Sequence, residues 1–265
     1  MLTKSHGLGN DYLVADPADL PFAITPERVR LLCDRHRGIG SDGLLVVDGA
    51  LGVRIYNPDG SEAEKSGNGL RIFARWLVAT GRRTSRSFAI SVGGTEARAV
   101  VESNGDVTVD MGQPSVRPDL AEIDVDGTRL PIIALSLGNP HCVIFRSVLD
   151  AAELRQWGPL IERAPAFANR TNVQLARVVD RRHVELLIWE RGAGETQASG
   201  SSSCAVVVAA HHLGLVDTDV TARMLGGELH VRLDPSGHVW LSGPVETVAS
   251  ITPSDELIAR LQALP

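Results

Sequence analysis

The chain lacks most of the features that mark large functional classes. Its three cysteines, Cys33, Cys142 and Cys204, are odd in number and far apart, so there is no disulfide framework. No apolar run approaches the ~20 residues needed to span a bilayer. The opening MLTKSHGLGNDY has no apolar core of the secretory type. A reduced, cytoplasmic protein without membrane contact is the expectation. The eight histidines include His211-His212 but form no H-E-x-x-H motif, and there is no C-x-x-C, so no metal is expected. A net charge of −6 argues against nucleic acid as partner, since phosphate binding needs a basic surface. GIGSDG (38–43) formally matches G-x-G-x-x-G, but CDRHR precedes it and LLVVDG follows. A dinucleotide loop needs the reverse order, strand before and helix after, so this segment reads as a turn and no cofactor is implied.

What the chain does have is ordinary globular composition, 43% hydrophobic, and an internal repeat. Ser66-Gly67 opens an apolar helical run closed by Gly81, and Ser199-Gly200 opens another closed by Gly214. Both landmarks recur at an offset of 133 (199 − 66 and 214 − 81). Gly9-Asn10 recurs as Gly138-Asn139, RIY (54–56) as LIW (187–189), and Gly93-Gly94 as Gly226-Gly227. Each half reads as many short strands around one Ala/Val-rich helix, which is apolar on most faces and so calls for sheet around it. Thr25-Pro26 opens a helix, a second lies within 150–164, and Thr252-Pro253 opens a last one that packs back on the first half. The domains are expected at 1–116, joined by 250–265, and at 117–249, with the joint at the two prolines of QPSVRPD.

The chemistry concentrates at the paired Ser-Gly steps. The first turn of a helix presents unpaired backbone N–H groups and the positive end of a dipole, a place for a carboxylate or for charge developing beside one. Taken singly, Ser66 and Ser199 read as ordinary N-caps. Taken as a repeated pair, with Asn57 nine residues before one and Glu190 nine before the other, Arg191 beside it, they read as a site for one small molecule carrying a carboxylate.

These segments resemble the diaminopimelate epimerase family over essentially the whole chain. KSHGLGNDY, RHRGIGSDG, NPDGSEAEKSGNGLRIFAR, LGNPHCV, RTNV and ERGAGETQASG resemble its motifs in order and spacing. The resemblance implies an α/β (α+β) fold of two pseudo-symmetric domains, each a mixed, β-barrel-like sheet around a central helix. It implies epimerisation or racemisation at an amino-acid α-carbon by two-base proton transfer, without pyridoxal phosphate or metal. It further implies LL-/meso-diaminopimelate as leading substrate, lysine biosynthesis as the setting, and a homodimer. Family binding residues carry over to Asn10, Asn57, Asn139, Asn172, Glu190 and Arg191. Gly67-Asn68 and Gly200-Ser201 match the helix ends that hold the reacting carboxylate. His141 matches a supporting histidine near the catalytic pair, and Gly43 stands where some members have glutamine.

The departure is at the reacting positions, where the family's two cysteines are replaced by Ser66 and Ser199. A thiol titrates near ~8.5 and lower at a helix N-terminus; a serine hydroxyl is a far weaker acid and needs an adjacent base. Cys204 lies five residues into its helix on another face, and Lys65 is given no part. Ser66 and Ser199 are therefore expected to flank the α-carbon, with Glu190, His141 or water assisting. The serines are read as a natural variant rather than an engineered double replacement, since Lys65, Ser202 and Ser203 also depart from the pattern. A catalytically silent amino-acid binder, and an isomerase or lyase acting on a β-substituted amino acid, are the alternatives.

Overall fold

The computed structural model describes residues 1–265. They form two compact units, 1–109 with 244–265, and 110–243.

In the first unit, β1 (Leu2–Gly7) and β2 (Asn10–Ala15) make an antiparallel hairpin. Its turn places Leu8 and Gly9 at φ 55° and 87°, the two left-handed residues that a tight hairpin turn requires. α1 (Pro26–Cys33), capped by Thr25 through its hydroxyl, leads to β3 (Leu44–Asp48), which lies parallel to β2. β4 (Gly52–Tyr56) is antiparallel to β3, and β5 (Glu62–Ala63) pairs back on β4. α2 (Gly67–Ala79) follows, then β6 (Ser87–Val92) parallel to β4, and β7 (Thr95–Val101) and β8 (Val107–Asp110) in an antiparallel run.

The second unit repeats the scheme. β9 (Ser115–Val116) precedes a separate two-stranded ribbon of β10 (Glu122–Val125) and β11 (Thr128–Pro131). β12 (Ile133–Ser136), which β9 edges, pairs antiparallel with β13 (Pro140–Phe145). α3 (Ala151–Glu162) carries the chain to β14 (Asn172–Asp180), parallel to β13; β15 (His183–Glu190) and β16 (Gly194–Thr196) follow antiparallel. α4 (Gly200–His212) then gives way to β17 (Asp219–Met224), parallel to β15, and to β18 (Gly227–Leu233) and β19 (Val239–Gly243). The alternation of antiparallel hairpins with two parallel crossovers is thus the same in both units. β20 (Glu246–Ile251) and α5 (Asp255–Ala263) return to the first unit, where β20 pairs antiparallel with β1.

The strand ladder moves two sequence-based boundaries. Ser115–Val116 pairs with β12, so the joint precedes Pro114 and Pro118 instead of falling among them. The last helix is capped by Ser254, whose hydroxyl accepts from the Leu257 N–H at 3.3 Å, not opened by Thr252-Pro253. Ile251 is still in register with Leu2 of β1, and the proline that follows carries the chain out of the ladder before the helix starts. Leu257 and Leu261 of α5 pack into one cluster with Leu2, Leu13, Val29 and Leu32.

The central helices are held by burial, not by propensity. Leu70, Ile72, Phe73 and Leu77 of α2 are at most 1% exposed. α4 is buried continuously from Ser202 to Ala210 and touches β12 to β15 and β17 to β19. Its Val206-Val207-Val208 run costs roughly half a kcal/mol per residue in helix propensity. Burial of each valine contributes about 1.5–3 kcal/mol, so packing wins. No helix is long and apolar enough to cross a membrane.

Packing also sets the limits of substitution. A Cβ on Gly158 of α3 would lie 2.7 Å from Cγ and Cδ2 of Trp189. Gly158→Ala gains about 1 kcal/mol of helix propensity but overpacks this contact at about 1–3 kcal/mol. A net loss of stability in urea unfolding is expected; a variant more stable than the parent would show that the indole yields freely.

Candidate active site

In the first unit the site is built on the N-terminus of α2. Ser66 caps it: Oγ accepts from the Gly69 N–H at 3.0 Å, and Tyr12 Oη lies 3.2 Å away on its other side. By helix geometry the N–H groups of Gly67 and Asn68 have no carbonyl four residues back. The Asn68 side chain is turned inward, donating to Asn10 Oδ1 at 3.0 Å and accepting from Arg71 Nη2 at 2.9 Å. Arg71 is fully buried, and a Cβ on Gly7 would come within 2.8 Å of its Nη2, so the glycine of the β1–β2 hairpin makes room for it. Asn10 passes the connection on, donating to Asp42 Oδ2 at 3.1 Å. Arg35 bridges Asp42 and Asp11 at 2.7 Å each, and Lys4 sits 3.0 Å from Asp11. Burial works against the Asp11 carboxylate, but Arg35 and Lys4 together hold its pKa below the usual aspartate value. Asn57, at the end of β4, donates instead to Ser61 Oγ at 3.0 Å within its own turn, so no hydrogen bond ties it to Asn10 or Ser66.

The second unit builds its counterpart on α4 from neutral groups. Ser199 occupies the cap position in extended conformation, is 3% exposed, and makes no side-chain cap hydrogen bond. Its backbone N–H points to the Met224 sulfur at 3.4 Å, and Ser203 Oγ donates back to its carbonyl at 2.9 Å. Gly200 and Ser201 open the helix with N–H groups free of intrahelical acceptors. Asn139 Nδ2 reaches Ser201 Oγ at 3.5 Å, and its Oδ1 lies 3.0 Å from His141 Nε2. His141 is fully buried, and its Nδ1 lies 3.1 Å from Gln174 Nε2, which also donates to Ser202 Oγ at 3.0 Å. Gln174 Oε1 is buried without a donor, at a cost of about 1–3 kcal/mol that the two donated bonds offset.

This surrounding gives His141 a different part from the one expected. Burial, reinforced by the charge of Arg191, lowers its pKa to about 3, and both ring nitrogens are engaged. The imidazole is neutral and orients Asn139; neither nitrogen is left to take a proton from a substrate.

Asn172, Glu190 and Arg191 meet at the far end of β14 and β15. Asn172 donates to the Pro140 carbonyl at 2.9 Å and accepts from the Arg191 N–H at 2.9 Å. Arg191 Nη1 also donates to Asn169 O at 3.2 Å, and a turn closes from Ala193 N to Glu190 O at 3.1 Å. That turn is pinned by Glu162, 3% exposed, whose carboxylate accepts from Gly192 N at 3.0 Å and Trp189 Nε1 at 2.8 Å.

Tyr12, Gln174 and Glu162 are absent from the sequence-based set. Tyr12 stood inside a quoted motif, two residues past Asn10 on β2, and could have been found from that spacing. Gln174 and Glu162 lie in an ordinary strand and helix and carry no local signal. All three thiols are buried, and desolvation pushes the Cys33 and Cys142 pKa values up. No three His, Cys, Asp or Glu side chains come together in a metal-binding arrangement.

With Gln174 Nε2 donating, His141 is the Nε2–H tautomer. Nitrogen-15 NMR should show that single neutral tautomer down to pH 4; the Nδ1–H tautomer would mean that the chain runs in the opposite sense, with Asn139 offering its carbonyl to Ser201. The sign of the stability effect follows. Unfolded chains take up a proton at this residue below about pH 6.5 while the folded protein does not, so stability falls as pH drops from there toward 3. His141→Gln should flatten that fall in urea titrations.

Comparison with known proteins agrees with this architecture. A family model described as diaminopimelate epimerase matches residues 2–117 and again 133–248, once per repeat. The chain is 41% identical to "Diaminopimelate epimerase 2" of Nostoc sp. over 97% of its own length and 96% of that protein's. It is 39% identical to the diaminopimelate epimerase of Stutzerimonas stutzeri, over 93% and 96%. Among solved structures, a probable proline racemase from Agrobacterium radiobacter superposes with TM-score 0.72 at 17% identity, covering 97% of this chain and 94% of that one. The last is a likeness of fold alone, whereas the first two, with the doubled model, leave one conclusion: the chain belongs to the diaminopimelate epimerase family, a family of isomerases.

Proposed function

We propose that the protein is a cofactor-independent epimerase acting at the α-carbon of an amino acid, with LL-/meso-diaminopimelate as substrate. The observation that carries this reading is the repeated placement of a serine at the open N-terminus of each buried central helix. In this reading the N–H groups of Gly67, Asn68, Gly200 and Ser201 receive the α-carboxylate. That is the group into which negative charge spreads once the α-proton has left. Ser66 and Ser199 exchange protons with opposite faces of that carbon. Asn10, Asn57, Asn68, Asn139 and Asn172 hold the polar ends of the substrate, and Glu190 accepts from its ammonium. Arg191 provides a planar fork for the distal carboxylate, the geometry in which guanidinium binds best. His141 acts indirectly by fixing Asn139.

One observation favours a second reading. The Ser199 hydroxyl makes no side-chain cap hydrogen bond, so the two helix ends are not equivalent, and a protein that binds diaminopimelate without turning it over needs no matched pair.

Deuterium exchange separates the two. In D₂O the epimerase reading expects α-deuterium to enter diaminopimelate, whereas calorimetric binding with no exchange supports the silent binder. Restoring the thiols, in the double variant Ser66→Cys with Ser199→Cys, should raise epimerisation at least about tenfold, because thiols ionise near neutral pH and hydroxyls do not. A folded double variant with no gain would move the substrate away from diaminopimelate.

A further inference from the structure

Ser66 as a reacting group needs somewhere to send its proton. Two groups touch its Oγ. The Gly69 N–H can only donate; it supports negative charge on the oxygen, as does the helix end behind it. Tyr12 Oη, 3.2 Å away, can both donate and accept. We propose that Tyr12 is the proton partner of Ser66, the two hydroxyls forming a relay that takes up the substrate's α-proton and returns it. This deepens the proposed function and rests on it.

The step balances without any co-reactant. As Ser66 Oγ receives the α-proton, its own proton passes to the Tyr12 phenolate, and the C–H electron pair stays on the α-carbon and spreads into the carboxylate. In reverse, the Tyr12 hydroxyl gives its proton to Ser66 Oγ, which gives its own to the carbon. A phenol ionises near ~10, far more readily than an aliphatic hydroxyl, so the relay draws on the more acidic of the two groups.

A second observation, independent of the contact, fixes the ring. Tyr12 is 8% exposed. A Cβ on Gly43 would lie 2.6 Å from its Cε1, 3.0 Å from its Cδ1 and 2.6 Å from the Tyr56 carbonyl. The Gly43 backbone cannot retreat, because its carbonyl accepts from Leu13 N at 3.1 Å and Ser41 Oγ at 2.9 Å. Position 43 is therefore open only to glycine while the Tyr12 ring stands where it does. Ser199 makes no side-chain cap hydrogen bond, and both tyrosines of the chain, Tyr12 and Tyr56, belong to the first unit. The relay belongs to the Ser66 face alone, so α-deuterium should wash in with retention at that face faster than configuration inverts.

The test compares α-deuterium exchange into diaminopimelate by four proteins: unmodified, Tyr12→Phe, Ser66→Cys, and both together. With Ser66 in place, Tyr12→Phe should lower kcat for exchange about 100-fold, leave KM within about twofold, and abolish the rise in rate between pH 7 and 9. With Ser66→Cys the same change should cost less than about fivefold, since a thiol ionises unaided. Equal losses in both backgrounds, or no loss in either, overturn the relay while leaving the epimerase reading intact. An unmodified protein that exchanges no α-proton overturns both. Should Tyr12→Phe fail to fold, fluorotyrosine incorporated at the two tyrosines, Tyr12 and Tyr56, keeps the ring shape and acidifies the phenol. The alkaline rise must then move to lower pH, and a fixed rise overturns the proposal.

Discussion

A helix sunk in sheet cannot hide the N–H groups of its first turn. That constraint governs both units. α2 and α4 are surrounded by strands along their length, so their side chains bury apolar surface, but the opening amides must still find acceptors. At α2 the Ser66 hydroxyl satisfies Gly69 and leaves Gly67 and Asn68. At α4 no side chain caps at all. The fold thus delivers two anion-seeking ends as a by-product of burying two helices, and each Ser-Gly step puts a hydroxyl beside one of them.

The two ends are alike in backbone and unlike in chemistry. The first is backed by ions: buried Arg71 orients Asn68, and Asn10 leads on to Asp42, Arg35, Asp11 and Lys4. A guanidinium is an expensive group to bury, and here it is hydrogen-bonded to a side chain that it holds rigid. The second is backed by neutral groups, Gln174, His141, Asn139 and Ser201, with the imidazole kept uncharged by burial. Charges orient strongly and over distance; a neutral chain orients only through contact, and its sense depends on one tautomer. A duplicated fold has therefore kept its ladder while its two supports drifted apart.

The parts legible in the sequence were those written in repetition or in local chemistry. The 133-residue offset exposed the twofold plan, and Ser-Gly before an apolar run marked the starts of α2 and α4. Glycine ended both. What stayed hidden depends on distant partners. Glu246–Ile251 is half exposed and carries no clean alternation; it is a strand because β1 offers it a ladder. Thr252-Pro253 has the form of a helix start, but the strand before it consumes that position and Ser254 takes the cap. Gln174 and Glu162 became visible only when β14, α3 and the 190–193 turn were folded together. His141 is expected beside the catalytic pair; the structure sets it 3.0 Å from Asn139, and its burial, which decides its protonation, is not in the sequence.

The pairing of β20 with β1 carries a consequence for how the chain is made. The second unit is contiguous in sequence, so every strand it needs has been synthesised once Gly243 has left the ribosome. The first unit begins the chain yet lacks an edge partner for Leu2–Gly7 until Glu246–Ile251 emerges. Its hairpin must wait through the synthesis of the other unit with one row of amides and carbonyls open, the state in which strands join wrong neighbours. The earlier-made half therefore completes its sheet only after the whole of the later-made half has been synthesised, by a pairing that joins Leu2 to Ile251.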